Sequence, residues 1–232
     1  MVVNNDFKKT SFDLVILNKA DLDRIMELQD IVYEDLEEKK LCVTLSEEEY
    51  LDALGDKGTI IGINDNEKLV GIYVALFPGQ DIENLGREFD LETEELEKVC
   101  HLELAFVHPE YRGFKLHYKL GLNLINYVQL HRFTRYFCAT VEPNNLPSLK
   151  NLFSFGLSIV KFSEMYGGLK RFILSLDISR LNLWDMSRAI MVESSDIERQ
   201  KSLLNANWYG VELKRDSCKT YIVYCKEKPR IC

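Results

Sequence analysis

The stretch Leu102-Glu-Leu-Ala-Phe-Val-His-Pro-Glu-Tyr-Arg-Gly-Phe-Lys-Leu-His117 decides the fold of this chain. Side-chain character alternates over residues 101–107, which is typical of a strand with two different faces. Pro109 ends that strand and Gly113 permits a sharp turn. Apolar residues then recur at every fourth position over about residues 112–133, which predicts a long amphipathic helix. The alternation predicts one strand face with Leu102, Leu104 and Phe106 and an opposite face with His101, Glu103, Ala105 and Val107.

The turn between this strand and this helix has the features of an anion-binding site. The first N–H groups of a helix have no partner within the helix, and the helix dipole is positive at that end. Arg112 and Lys115 add two positive charges beside them. From these residues alone, an ordinary strand-to-helix connection with solvated basic side chains remains the alternative.

The residues before this unit predict two helices and three strands. In chain order they are a strand over 12–17, a helix capped by Asp21, a short helix opened by a Ser46–Glu49 capping box, and a hairpin of 59–63 with 69–77. Residues 80–98 are acidic and polar, and we interpret them as a surface excursion between strands.

The residues after the unit continue the alternation of strands and helices. In chain order they are a strand over 136–141, a helix from Pro147 to Gly156, strands over 157–162 and 171–176, a helix over 195–205, and a hairpin of 208–214 with 220–224. Amphipathic helices must bury their apolar stripes on a sheet, so we expect an α/β (α+β) fold with a mixed central sheet and helices on both faces.

Composition excludes several classes of protein. The chain has 232 residues, is 46% hydrophobic, and carries 29 Lys and Arg against 37 Asp and Glu, a net charge of −8. An acidic chain of this kind is a poor candidate for binding nucleic acid or an anionic membrane. No apolar run is long enough to span a bilayer, and the first residues have no signal-peptide pattern, so we expect a cytoplasmic protein.

The cysteines and histidines do not predict a metal site. The six cysteines are scattered without a Cys-x-x-Cys motif, which favours reduced thiols. Cys100, His101, His108 and His117 are close in sequence, but their spacing matches no zinc pattern. We therefore expect no metal.

Two motifs resemble those of one enzyme family. Val107-x-Pro-x-Tyr-Arg-Gly-x-x-Leu116 is similar to the acyl-CoA signature of the GCN5-related N-acetyltransferases (GNAT). At the usual distance, Val141-x-Pro-x-Asn-x-x-Ser148 and the helix ending at Gly156 resemble a second element of that family. The resemblance covers about residues 10–176. It implies the GNAT fold and transfer of an acetyl group from acetyl-CoA to a primary amine.

The resemblance also implies roles for individual residues. The loop that would hold the CoA pyrophosphate is Arg112, Gly113, Phe114, Lys115, Leu116 and His117. The residues that would position the pantetheine arm are Ala105, Phe106, Val107, Asn145 and Ser148. Glu103 matches the position of the glutamate base in many relatives. A charge on a solvated strand face is the alternative for Glu103. Asn145 can also be the N-terminal cap of the following helix, a role compatible with a pantetheine contact.

Three positions depart from the family pattern. Lys115 and His117 stand where the family usually has its two later glycines, and Leu152 stands where it often has a tyrosine that acts as general acid. Tyr166 is a candidate for that acid, with simple packing as its alternative. These departures leave open a catalytically impaired acyl-CoA-binding or structural module.

The acceptor and the tail are less determined by the sequence. We expect an acetyltransferase domain over residues 1–178 and a helix-and-hairpin extension over 179–232 that packs on it, packs on a partner subunit as in a homodimer, or covers the acceptor site. Residues 39–46 and those beyond Arg180 are expected to shape the acceptor pocket. A small-molecule or peptide amine suits the acidic chain, and a longer acyl donor remains an alternative to acetyl-CoA.

Overall fold

One ten-stranded sheet organises the described part of the protein. The structure is a computed structural model that describes residues 12–39, 43–180 and 183–228. The strands are β1 (Phe12–Ile16), β2 (Gly58–Asp65), β3 (Lys68–Leu76), β4 (Val99–Val107), β5 (Tyr136–Val141), β6 (Ser158–Met165), β7 (Leu169–Asp177), β8 (Ile190–Glu193), β9 (Tyr209–Arg215) and β10 (Thr220–Cys225). Their order is β1-β2-β3-β4-β5-β7-β6-β9-β10-β8. Only the β4–β5 pair of these strands is parallel.

Helices cover both faces of this sheet, as predicted. They are α1 (Leu22–Asp35), α2 (Glu47–Ala53), α3 (Thr93–Leu96), α4 (Leu116–His131), α5 (Leu146–Ser154) and α6 (Ile197–Asn205). On one face of the sheet, the apolar residues of α4 are buried in a cluster that includes Tyr73 of β3. On the other face, α1 and α2 bury Ile25 and Tyr50 in a second cluster. Both helix layers therefore remove apolar surface from water and stabilise the fold.

The faces of β4 differ from the prediction because the strand contains a β-bulge. Pairing with β3 shifts register, so that Val74 lies opposite Leu104 and Ala75 lies opposite Leu102, with Glu103 between them. Leu102 therefore packs on the α4 side, while Leu104 and Phe106 pack on the α1 side. The prediction that the three share one face is wrong, since one extra residue reverses the phase of a strand.

Helix starts also differ in detail from the predictions. The Ser46–Glu49 capping box is confirmed. Asp21 precedes α1, but it makes no side-chain cap there. Asn18 caps a preceding 3₁₀ turn, and the Asp21 carboxylate accepts from the Asn18 amide.

The excursion before β4 is more ordered than predicted. It contains a 3₁₀ turn at Leu85–Phe89 and helix α3, and both Leu85 and Leu96 are buried. Leu85 clusters with Val99 and Tyr136 at the end of the sheet. An acidic segment can still bury the few leucines that it contains.

The segment after residue 180 continues the same sheet. Strand β9 pairs with β6 at Ile159 and Gly210, where a β-carbon at position 210 would lie 2.8 Å from Ile159 Cδ1. The hairpin of β9 and β10 is confirmed, while the four-residue strand β8 was not predicted because so short a run has no clear period. None of the described helices is both long and apolar enough to cross a membrane.

Candidate active site

A cavity opens where β4 and β5 separate. The two strands pair only from Val99 to His101, and beyond that point they diverge. The space between them is a cavity of about 980 Å³. The residues singled out in the sequence that line it are Glu103, Ala105, Phe106, Val107, Arg112, Gly113, Lys115, Leu116, His117, Asn145, Ser148 and Tyr166.

The turn before α4 presents free amides beside this cavity. Arg112 is extended, Gly113 has φ +88° and Lys115 has φ +59°, so α4 begins at Leu116 and not near residue 112 as predicted. Among the described residues, the amides of 113–118 make no backbone hydrogen bond. Several N–H groups at one helix end form a site that favours an anion.

Two contacts hold this turn in place. The Tyr111 hydroxyl donates a hydrogen bond of 2.8 Å to Asp65 Oδ2 at the end of β2. His108 Nδ1 accepts from the Glu110 amide at 3.3 Å. Burial lowers the pKa of His108, which favours the neutral ring that can accept this bond.

The positive charge of the turn comes from Arg112 and Lys115. Arg112 forms an ion pair with Asp35, the last residue of α1. Burial lowers the pKa of His117 to about 4, so its imidazole is neutral near neutral pH and adds no charge. Phe114, proposed from the sequence as part of this loop, does not line the cavity, and its ring packs on that of Phe12 with 5.8 Å between the ring centroids.

Glu103 and Tyr166 lie near each other in the cavity wall. Burial is the main cause that raises the pKa of the Tyr166 phenol, and the Glu103 charge raises it further, so the hydroxyl keeps its proton. Thr140 Oγ1 lies 3.4 Å from the Tyr166 hydroxyl. Glu103 Oε2 lies 3.7 Å from His101 Nδ1. A carboxylate and a neutral phenol thus face one space, a pairing suited to proton transfer.

The start of α5 forms a further wall. Asn145 Oδ1 accepts from the Ser148 amide at 3.2 Å, which confirms Asn145 as the helix cap. The buried Glu142 closes the preceding turn by accepting from the Asn144 amide and side chain. Leu152 is buried and lines the cavity. A leucine has no hydroxyl, so this position offers no general acid.

The family model of the acetyltransferase (GNAT) family matches residues 22–156, which is more than half of the chain. This protein belongs to the GNAT acetyltransferase family. The resemblance seen in its motifs and the expected fold class are thereby confirmed.

Solved GNAT structures share the fold at low sequence identity. Arabidopsis thaliana NAA60 in complex with acetyl-CoA superposes with a TM-score of 0.57 at 14% identity, covering 73% of this chain and 100% of that one. A Salmonella typhimurium putative acetyltransferase, yncA, solved with acetyl-CoA, gives 0.54 at 15% identity, covering 72% and 94%. The Escherichia coli ribosomal-protein-S18-alanine N-acetyltransferase gives 0.52 at 14%, covering 74% and 96%. No curated protein sequence matches the chain.

Sequence reasoning missed several residues that line the GNAT cavity. They are Val32 and Leu36 at the end of α1, Thr140 and Glu142 at the end of β5, and Arg171 in β7. Val43, which also lines the cavity, belongs to the segment 39–46 that was expected to shape the acceptor pocket. Arg171 carries the one available signal, since it is a charged residue that opens a buried apolar run. Part of the predicted acceptor segment, residues 40–42, lies outside the described residues, as do Cys42 and Cys232. Within the described ranges, no group of three or more His, Cys, Asp and Glu is arranged to hold a metal ion.

Proposed function

We propose that this GNAT protein transfers an acetyl group from acetyl-CoA to a primary amine by direct attack of the amine. The observation that carries the proposal is that one cavity is lined by the anion-binding turn and by Glu103 and Tyr166. Strand geometry places Glu103 about 13 Å along β4 from Val107, which precedes the turn. A long donor with an anionic end and a reactive end fits that separation.

The residues present fit acetyl-CoA as the donor. The unpaired amides of 113–118, with Arg112 and Lys115, would hold the pyrophosphate. Among the described strands, the β5-facing edge of β4 has no partner after His101, so the backbone of Ala105 to Val107 is available to the pantetheine amides. The acetyl-CoA in the Arabidopsis and Salmonella structures supports the same donor here.

Lys115 and His117 do not close this loop. Lys115 adopts the left-handed conformation that favours glycine, and its side chain lines the cavity where it can meet a phosphate. His117 lies against the Tyr73 ring at 5.3 Å, which keeps its imidazole on the protein side of the helix end. Both substitutions therefore leave the backbone amides accessible.

The two titratable groups in the wall would carry the protons. Acetyl-CoA supplies an activated acetyl group, whose carbonyl carbon gains a bond to the amine nitrogen as its bond to sulfur breaks. Glu103 accepts the proton that the nitrogen loses, through a water molecule. The Tyr166 hydroxyl donates a proton to the sulfur that leaves. The acceptor is a small-molecule or peptide amine that enters along Val32, Leu36 and Val43.

Calorimetry with acetyl-CoA, and separately with CoA, tests the donor site. We expect saturable binding that Arg112→Ala weakens and that Arg132→Ala, a surface arginine at the far end of α4, leaves unchanged. No binding by a folded sample would refute the donor assignment.

An acetyl-transfer assay over peptide α-amines and small amines tests the reaction. We expect Glu103→Gln to lower kcat about 10²-fold or more, with little change in acetyl-CoA affinity. Unchanged kcat would remove Glu103 from the mechanism. Binding without turnover across the whole panel would favour the non-catalytic module.

A further inference from the structure

His101 is held in one tautomer by a buried backbone amide. Its side chain is almost fully buried, and Nε2 accepts a hydrogen bond of 3.0 Å from the Leu85 amide. A neutral imidazole has one donor and one acceptor nitrogen. Because Nε2 is the acceptor, the ring proton must lie on Nδ1.

The Leu85 amide is itself rigidly placed. The neighbouring Asn84 side chain donates to the Gly79 carbonyl at 2.6 Å and to the Leu96 carbonyl at 3.1 Å, and it accepts from the Gly86 amide at 2.8 Å. These bonds tie both ends of the excursion together around Leu85. The amide that selects the tautomer is therefore part of a fixed network and not of a loose loop.

The protonated nitrogen faces the proposed base. His101 Nδ1 lies 3.7 Å from Glu103 Oε2, which is too long for a direct hydrogen bond but within the range of charge–dipole attraction. Glu103 is the extra residue of the bulge and has no opposite partner on β3.

We propose that His101 is a positioning residue for Glu103. Its Nδ1–H holds the Glu103 side chain toward the cavity, where it can accept a proton, and the Leu85 amide keeps the ring in the tautomer that does this. The inference rests on the proposed function of Glu103 as base. His101 does not itself accept the proton, since in the neutral ring one nitrogen carries a proton and the other is occupied by the Leu85 amide.

The tautomer can be measured without turnover. We expect nitrogen NMR of the full-length protein near neutral pH to show a neutral His101 ring protonated at Nδ1, with the signal assigned by its loss in His101→Asn. Glu103→Gln should shift the Nδ1 proton resonance, because it removes the facing charge. A ring protonated at Nε2, or an Nδ1 resonance that ignores Glu103→Gln, would overturn the proposal even if the enzyme is active.

Two substitutions separate positioning from packing. Asn at position 101 can place a donor near the Nδ1 position, while Gln can place an acceptor near the Nε2 position. We expect His101→Gln to lower kcat about 10- to 100-fold with the KM for acetyl-CoA unchanged, and His101→Asn to keep most of kcat. His131→Asn, at the exposed end of α4, is the matched control.

The outcomes distinguish this inference from the proposed function. If His101→Gln is as active as the wild type while Glu103→Gln is inactive, Glu103 is the base but His101 does not position it. If Glu103→Gln is fully active, the base assignment fails and the positioning role fails with it. If the wild type shows no transfer to any amine, the tautomer measurement still decides whether the His101–Glu103 contact exists.

Discussion

Arg112 in the turn before α4 forms an ion pair with Asp35 at the end of α1. The two residues are 77 positions apart in sequence, and both side chains are about half exposed. An ion pair this exposed contributes only about 0–1 kcal/mol. Arg112 is therefore held near the anion-binding turn by a partner that it can leave when a phosphate is present.

Removal of Asp35 should strengthen CoA binding. Asp35→Asn frees Arg112 and takes one negative charge from the rim, so we expect CoA affinity to rise by up to about 5-fold. Arg112→Ala should lower it about 10- to 100-fold, because a charge-assisted contact to phosphate is lost. Calorimetry measures both. Asp30→Asn, an exposed position of α1 with the same charge change, is the control, and weaker binding by Asp35→Asn would contradict the prediction.

Loss of the Tyr166 hydroxyl should slow transfer without affecting donor binding. Tyr166→Phe removes the group proposed to protonate the departing sulfur, so we expect kcat to fall about 10- to 100-fold at unchanged acetyl-CoA affinity. Steady-state kinetics measures this. Tyr127→Phe, which changes a tyrosine outside the cavity, is the control. An unchanged kcat would mean that water protonates the sulfur.

Asp177 should make the fold sensitive to acid. Burial alone would raise its pKa, but hydrogen bonds from Arg135 at 3.0 and 2.9 Å and from Ser179 outweigh burial and lower the pKa to about 2. The folded-state pKa lies below the unfolded value, so this stabilisation is present above about pH 4 and is lost as pH falls toward 2. The shift corresponds to about 2 kcal/mol at neutral pH.

Urea unfolding of Asp177→Asn tests this linkage. We expect the variant to be less stable than the wild type by about 2 kcal/mol near neutral pH, with the difference shrinking below about pH 4. Glu198→Gln, which removes an exposed ion pair with Lys201, should change stability little at any pH. A difference that does not depend on pH would assign the loss to packing.

Gly121 in α4 should tolerate no side chain. A β-carbon there would lie 2.3 Å from Phe155 Cζ and 2.9 Å from Tyr73 Cε2. Overpacking costs about 1–3 kcal/mol, more than the roughly 1 kcal/mol that alanine gains over glycine in a helix. Urea unfolding should therefore show that Gly121→Ala is less stable than the wild type. Asn126→Ala, on the exposed face of α4, should have nearly the wild-type stability. A more stable Gly121→Ala would show that the Phe155 ring moves aside at little cost.

Much of the fold could be predicted because its signals are local. The strand over 136–141 and the Ser46–Glu49 capping box match the structure, since periodicity and caps depend on residues within one or two turns of each other. The GNAT motifs are local in the same way, and all the residues proposed for CoA except Phe114 line one cavity. The errors include the bulge of β4 and the first turn of α4, where a neighbouring strand or a left-handed residue changes the periodicity of the side chains. They also include strand β8, which is too short to show a period.

The sequence by itself predicted most of the order of elements, the family and the proposed donor-site loop, because each of these is written in contiguous residues. Only the tertiary structure decided which side chains meet Glu103 and Arg112. Leu85 and His101, or Asp35 and Arg112, are brought together by strand pairing and by the packing of α1, and no local pattern encodes such contacts. Tertiary structure also decided that β9 extends the sheet beside β6. That pairing depends on the missing side chain of Gly210, which leaves room for Ile159.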